Sequence, residues 1–237
     1  MDILGFIPAR GGSKGIPHKN IAMVGGQPLL AYTCNAALSS KRLTRVILST
    51  DDADVAEVGQ HCGIEVPFLR PDELAKDDVP MLDVLHHSLR ALQAKENYSP
   101  EVVVLLQPTS PLRRAEHVDE AVDILLKTGA DSVVSVVEVP HQFNPVSFMH
   151  LEGERLMHYL EGPPILRRQD KPRLYARNGP AVLAVRREVL LKKNSLYGND
   201  RRPLVMNVED SVDIDCAFDL DLVEFLLKRH KPVRRHG

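Results

Sequence analysis

The chain has little cysteine, no surplus of positive charge and no long apolar run, and each shortage removes a class of protein. Its three cysteines, Cys34, Cys62 and Cys216, are scattered and odd in number, with neither metal-ligand spacing nor a disulfide framework. They read as small buried hydrophobes in a reducing compartment. With 30 Lys and Arg against 32 Asp and Glu, the net charge is -2, which argues against general binding to nucleic acid or anionic membranes. A local basic site for one anion is compatible with that balance. No window reaches membrane-spanning length, and residues 1–8 lack the basic lead and long apolar stretch of a signal peptide. The expectation is a cytoplasmic protein with no nucleic-acid and no membrane partner.

What is present is an ordinary globular composition, 237 residues with 43% hydrophobic and 26% charged side chains. That length holds one large domain, or one domain with a small excursion. Short apolar runs alternate with amphipathic stretches. Strands are expected at 3–8, 45–50, 65–68, 101–106, 132–139, 181–186 and 204–208, and helices at 29–38, 53–62, 81–94, 115–127 and 217–228. The consecutive Val and Leu residues within 101–106 fit a strand buried on both faces. Alternating strands and helices imply crossovers and an α/β fold with a largely parallel sheet, whose ligands sit outside the carboxyl ends of the strands. Residues 10–20, Asp51-Asp52 and 107–113 follow strand ends and are expected to converge on one crevice. The rhythm breaks at 140–178, read as an excursion that makes a dimer contact or, more plainly, as a mobile loop. The basic tail after 228 is expected to fray.

Two features carry chemistry on residue type alone. After the first strand, Gly11, Gly12 and Gly15 stand among Arg10, Ser13, Lys14 and Lys19. Glycines let backbone amides close on phosphate oxygens, and the cations neutralise the charge. The spacing matches neither the P-loop nor the dinucleotide pattern, and a flexible surface turn is the plain alternative. Farther on, Asp213 and Asp215 alternate, so in an extended segment both project to one face. Paired carboxylates repel, and a divalent cation between them relieves this; the alternative has Asp215 capping the next helix while Asp213 is solvated. The ten histidines show no metal-binding spacing and read as ordinary surface or core residues. No serine or cysteine nucleophile has a visible base partner, and direct displacement at phosphorus needs none.

Several blocks, in order along nearly the whole chain, resemble the acylneuraminate cytidylyltransferases. They are Ile7-Pro8-Ala9-Arg10-Gly11-Gly12-Ser13-Lys14-Gly15-Ile16-Pro17 with Lys19-Asn20, Ser49-Thr50-Asp51-Asp52 and Leu69-Arg70-Pro71. Then come Gln107-Pro108-Thr109-Ser110-Pro111-Leu112-Arg113, Arg167-Arg168-Gln169-Asp170, Arg177-Asn178-Gly179 and Asp210-Ser211-Val212-Asp213-Ile214-Asp215. The resemblance implies a three-layer, Rossmann-like nucleotidyltransferase fold over 1–237, with the excursion serving dimerisation and acceptor binding. It implies transfer of CMP from CTP to the anomeric hydroxyl of a nonulosonic acid, with release of pyrophosphate.

By the same resemblance Arg10, Lys19, Asp213 and Asp215 are the catalytic set, with Mg²⁺ (or Mn²⁺ in its place) on the two aspartates. Ala9, Arg10, Gly11, Gly12, Ser13, Lys14, Lys19, Asn20, Arg70, Gln107 and Arg113 are expected around the nucleotide. Gln107, Arg168, Tyr175 and Asn178 are expected around the sugar acid, with Arg167 and Arg173 as substitutes for Arg168 and a neighbouring subunit completing the pocket. Arginine's planar fork suits phosphate or carboxylate, and glutamine offers both a donor and an acceptor, although a lone arginine is as a rule a surface ion pair. Departures at Met81, Ala176-Arg177 and Pro180-Ala181-Val182 lie near the base and the acceptor, so the particular sugar acid stays open. Competing readings are a 3-deoxy-manno-octulosonate cytidylyltransferase and a non-catalytic nucleotide-binding regulator.

Overall fold

A computed structural model describes residues 1–12, 15–160, 162, 165 and 167–230. Ser13, Lys14 and the basic tail at 231–237 lie outside them. The strands and helices are β1 (Ile3–Pro8), β2 (Met23–Val24), β3 (Gln27–Pro28), α1 (Leu29–Leu38), β4 (Arg45–Ser49), α2 (Ala53–His61), α3 (Met81–Glu96) and β5 (Val102–Leu105). There follow α4 (Ala115–Thr128), β6 (Ser132–Glu138), β7 (Met149–Glu152), β8 (Arg155–His158), β9 (Tyr175–Arg177), β10 (Leu183–Arg186), α5 (Arg187–Lys192), β11 (Arg201–Met206) and α6 (Ala217–His230).

The central sheet has seven strands in the order β11-β6-β10-β5-β1-β4, with β9 also on β6. β1 pairs in parallel with β4 and β5, and β11 with β6, whereas β10 runs antiparallel between β5 and β6. Every residue of β1 and β5 is buried, because helices cover both faces. Alternation along each strand sorts the core into two layers. Ile7, Val104 and Val133 pack with Leu30, Val55, Val118 and Leu125 of α1, α2 and α4. Leu4, Phe6, Val103 and Leu105 face Leu85 and Leu92 of α3 and Val189 and Leu190 of α5. A third cluster, including Leu29, Leu112, Ile214, Val223 and Leu226, seats α6 beside the carboxyl ends of the strands.

The expected helices form within two residues of their predicted ends. Segment 65–68 departs from expectation: it makes only isolated bridges, Ile47 with Glu65 and Thr50 with Leu69. Pro67 lies between them and has no N–H for a continuous ladder. The last two strands shift as well, to Leu183–Arg186 and Arg201–Met206. The excursion holds a two-stranded hairpin, β7 with β8, all of whose residues are exposed. β9 and β10 lie along the same strand, β6, separated by residues 178–182. Asp51 and Asp52 brace the glycine loop. Asp51 Oδ1 accepts the Gly11 N–H at 3.2 Å, and Asp52 caps α2 by accepting the amides of Asp54 and Val55.

Candidate active site

The carboxyl ends of β1 and β5 open into a cavity of about 380 Å³. Its walls bring together Arg10, Gly15, Lys19, Asn20, Arg70, Gln107, Asp213 and Asp215 from the predicted set, along with Pro8, Met81, Pro108 and Thr109. Residues from the start, middle and end of the chain meet here because the parallel strands deliver their following loops to one edge of the sheet.

Each cation is held in place by its surroundings. Arg10 pairs with Asp77 at 2.5 Å, and its backbone carbonyl accepts from Asn20 Nδ2 at 2.8 Å. Lys19 Nζ donates to the Ile214 carbonyl at 2.7 Å and lies 3.5 Å from Asp215 Oδ1. Arg70 is 5% exposed; its Nε donates to Ser49 Oγ and a terminal nitrogen to the Ser49 carbonyl at 2.5 Å. Burial, helped by the charge of Arg10, lowers the Arg70 pKa against the opposing pull of Asp51. A guanidinium remains protonated there at neutral pH.

The two carboxylates differ. Asp213 Oδ1 accepts from Ser110 Oγ at 3.2 Å, whereas the Asp215 side chain is 81% exposed. The helix-capping alternative for Asp215 is not what forms: the carboxylate of Asp219 accepts the backbone amides of Asp215 and Cys216, each at 2.8 Å. Among the described residues no group of three or more His, Cys, Asp and Glu could hold a metal ion, so Asp213 and Asp215 are the available pair in this cavity. Asp210 is buried and paired with Arg114 at 2.7 Å, with His117 beyond it.

Arg113, Asn178, Arg168 and Tyr175, all expected at the site, lie outside the lining of this cavity. Arg113 does not line the cavity; it lies behind it, 3% exposed, donating to the carbonyls of Gln107 at 3.0 Å and Ala181 at 2.7 Å and to Thr33 Oγ1 at 2.5 Å. Burial pushes its pKa down to about 9, against the nearby Cys34 thiol and Asp213. It therefore braces the Gln107 loop from behind the cavity. Asn178 is likewise absorbed into the fold: its Oδ1 accepts from Ser135 Oγ at 2.6 Å and its Nδ2 donates to Ser211 Oγ at 2.9 Å. It fills the break between β9 and β10.

Arg168 and Tyr175 do not join the first cavity either. Arg168 borders a separate space of about 790 Å³ with Glu138, His141, Asn144, Lys171 and Arg173. Tyr175 stands exposed on β9, opposite Glu138. The fallback arginines are engaged, Arg167 with Asp170 at 2.7 Å and Arg173 with Glu138 at 3.3 Å. Ala9, Gly11 and Gly12 belong to the same loop but are not among the lining residues, while Ser13 and Lys14 lie outside the described residues. Thr109 lies in the 107–113 segment expected at the crevice but was given no role of its own. It lines the cavity, and its hydroxyl is buried without a hydrogen-bond partner. Its position just past β5 is the signal that would have found it.

A sheet of this order, with a cationic glycine loop and two carboxylates at its carboxyl edge, defines a nucleotide-handling α/β protein of the nucleotidyltransferase kind. The chain belongs to the cytidylyltransferase family, whose profile matches residues 4–229. It is 34% identical to the CMP-N,N'-diacetyllegionaminic acid synthase of Legionella pneumophila, over 96% of this chain and 97% of that one. The corresponding synthase of Campylobacter jejuni is 30% identical over 95% of each chain. The N-acylneuraminate cytidylyltransferase of Escherichia coli is 32% identical over 93% of this chain, which spans 51% of that longer protein. In fold the chain is similar to a CMP:2-keto-3-deoxy-manno-octonic acid synthetase solved with CTP, with a TM-score of 0.71, 18% identity and coverage of 97% and 99%.

Proposed function

We propose that this chain transfers CMP from CTP to the anomeric hydroxyl of a nine-carbon, nonulosonic sugar acid and releases pyrophosphate. The observation that carries the reading is the meeting of Arg10, Lys19 and Gln107 with Asp213 and Asp215 in one cavity. The names of the relatives above support the sugar-acid class.

In this reading Lys19 and Arg10 neutralise the triphosphate, leaving Asp215 and Asp77 as CTP enters. Arg70, immobilised on Ser49, and Gln107 offer fixed donors to the nucleoside. The acceptor hydroxyl oxygen bonds to the α-phosphorus as the bond from that phosphorus to the β-phosphate bridging oxygen breaks, and the hydroxyl proton is lost. The donor set of the aspartates fits Mg²⁺, or Mn²⁺ in its place: two hard oxygens, with water and phosphate left to complete the shell. Held by Asp213 and Asp215, that ion would supply charge neutralisation at the α-phosphate and the departing pyrophosphate.

The acceptor carboxylate needs an arginine fork, and Arg168 lies away from this cavity on the excursion. A second copy of the chain presenting its excursion would resolve the separation. Exposed Phe143, Phe148, Leu151, Leu156 and Tyr159 supply an apolar surface for that contact. Of the free cysteines only Cys34 is buried as expected, while Cys62 is half-buried and Cys216 exposed; free thiols fit a reducing, cytoplasmic setting, and no helix among the described residues is long and apolar enough to cross a membrane.

Pyrophosphate release from CTP, measured with N-acetylneuraminate, N,N'-diacetyllegionaminate and 3-deoxy-manno-octulosonate, tests the reading. Turnover with a nine-carbon acid is expected, and Arg168→Ala is expected to raise its KM while leaving that of CTP unchanged. Release with the eight-carbon acid alone would move the chain to the competing substrate class, and no release with any acid would overturn the proposal.

A further inference from the structure

Away from the nucleotide cavity, the sheet has a second opening that shares no residue with it. β6, β9 and β11 carry Val134, Val136, Arg177, Arg201 and Pro203 around a cavity of about 490 Å³, closed on one side by Tyr197. Strand register explains the gathering: Val136 pairs with Arg177 and Val205, Val134 with Pro203, and Ser132 with Arg201. Paired residues share a face, so these side chains stand together. The other face of β6 is covered by α4, whereas the core under α3 and α5 reaches β6 on this side only at Val134. Val205 accordingly stays 53% exposed.

The charges in this corner are unbalanced. Arg177 donates to the Tyr197 hydroxyl at 2.7 Å and stacks on its ring at 5.3 Å. Arg201 donates through Nε to the Gly198 carbonyl at 3.1 Å. Neither has a carboxylate partner among the described residues. Arg202 also lines the cavity but is neutralised by Asp200 at 2.9 Å, and Asp131 is committed to Lys193 and the amides of Asn199 and Asp200. The Tyr197 hydroxyl, which accepts from Arg177, keeps its own proton to donate. Two guanidinium forks and a phenol over a valine floor therefore present donors with no acceptor, in a recess that strengthens their field.

We propose that this recess is a second anion site for a phosphate-type oxyanion, held by Arg177 and Arg201 with a hydrogen bond from Tyr197. The oxyanion is either free or carried on a nucleotide. It is independent of the transferase reading, because it draws on none of the residues of the nucleotide cavity.

The test is an NMR titration of the full chain with inorganic phosphate, pyrophosphate and CMP in separate arms, following the arginine Nε–H signals and the amides of Val136 and Val205. Saturable shifts at these positions are expected. Binding should weaken at least tenfold in Arg177→Gln/Arg201→Gln and more mildly in Tyr197→Phe, which keeps the ring packing. The signals around Lys19 should respond as in the parent chain, which shows that the variants remain folded. A preference for phosphate or pyrophosphate assigns a free anion, and a preference for CMP a nucleotide-borne one. Shifts that grow linearly without saturation, or that persist in the double variant, would overturn the proposal. So would a double variant that loses self-association in sedimentation, since the arginines would then hold acidic side chains of a second copy.

Discussion

Two glycines of the phosphate loop look alike in the sequence, and the structure separates them. A Cβ built at Gly15 lies 2.6 Å from the backbone carbonyl oxygen of Asp215, while one built at Gly12 meets nothing among the described residues within 4 Å. Carbon–oxygen contacts settle near about 3.3 Å, so Gly15→Ala must drive the loop and the Asp213–Asp215 segment apart by roughly 0.7 Å. Neither side can yield through a rotamer, because the clash is with backbone. Overpacking of this kind costs about 1–3 kcal/mol, or a fall in Tm of roughly 2–4 °C per kcal/mol at this size. The larger effect is on chemistry, since a displacement near 1 Å between catalytic groups costs about 10²-fold in rate. Gly15→Ala is therefore expected to lower kcat/KM for CTP by about two orders of magnitude, and Gly12→Ala by less than about threefold, or roughly 0.6 kcal/mol. Initial rates of pyrophosphate release and thermal melts of both variants measure this. Equal losses in the two variants, or an active Gly15→Ala, would refute the contact between the loop and the carboxylate segment.

Thr109→Val removes a hydroxyl that has no partner in the ligand-free chain; stability should hold or rise, while CTP or acceptor binding weakens by about 0.5–1.5 kcal/mol in calorimetry. Unchanged binding of both would show that the hydroxyl is idle. Asn178→Ala takes one hydrogen bond each from Ser135 and Ser211, which keep their bonds to the Val182 amide and the Asn207 carbonyl, and opens a void, so urea unfolding should show a loss of about 1–3 kcal/mol with the KM for the sugar acid little changed; the opposite pattern would restore Asn178 as a substrate contact. Lys193 and the amides of Asn199 and Asp200 hold the Asp131 carboxyl down to about 2. A depressed carboxylate contributes stability above its unfolded pKa near 3.9 and loses it as pH falls through the folded value. The urea midpoint should thus drop between about pH 4 and pH 2, less steeply in Asp131→Asn, and parallel profiles for the two proteins would contradict the assignment.

The sequence was most legible where one physical pattern determined one outcome. The apolar run of β5 fits a strand buried on both faces, and α2, α3 and α4 declared themselves by their amphipathic spacing. The direction of β10 was not legible, because an apolar strand reads alike in a parallel and an antiparallel setting. The β7–β8 hairpin was hidden for another reason: Met149-His150-Leu151-Glu152 does alternate, but so short an exposed run beside the prolines of the excursion does not stand out as a strand. At the site, the glycine loop and the alternating aspartates named themselves. Residue type says what a side chain can bond to, not what it will meet. Arg70 and Arg113 had equal claims on the nucleotide, yet one lines the cavity and the other is spent on carbonyls behind it. Arg168 joins no cavity with the aspartates of its own chain, a separation that only the fold reveals.

The central claim is that Asp213 and Asp215, facing Arg10 and Lys19, make the cavity a metal-assisted nucleotide-transfer site. The most direct measurement is turnover of CTP with a nine-carbon acid against Mg²⁺ concentration, in the parent chain and in Asp213→Asn/Asp215→Asn, alongside calorimetric binding of CTP. The account predicts Mg²⁺-dependent release of pyrophosphate that falls by about 10²-fold or more in the variant, as for loss of transition-state charge stabilisation. Binding of metal-free CTP should persist or tighten, since Lys19 is freed from Asp215. Equal turnover in parent and variant, or turnover indifferent to a chelator, would contradict it.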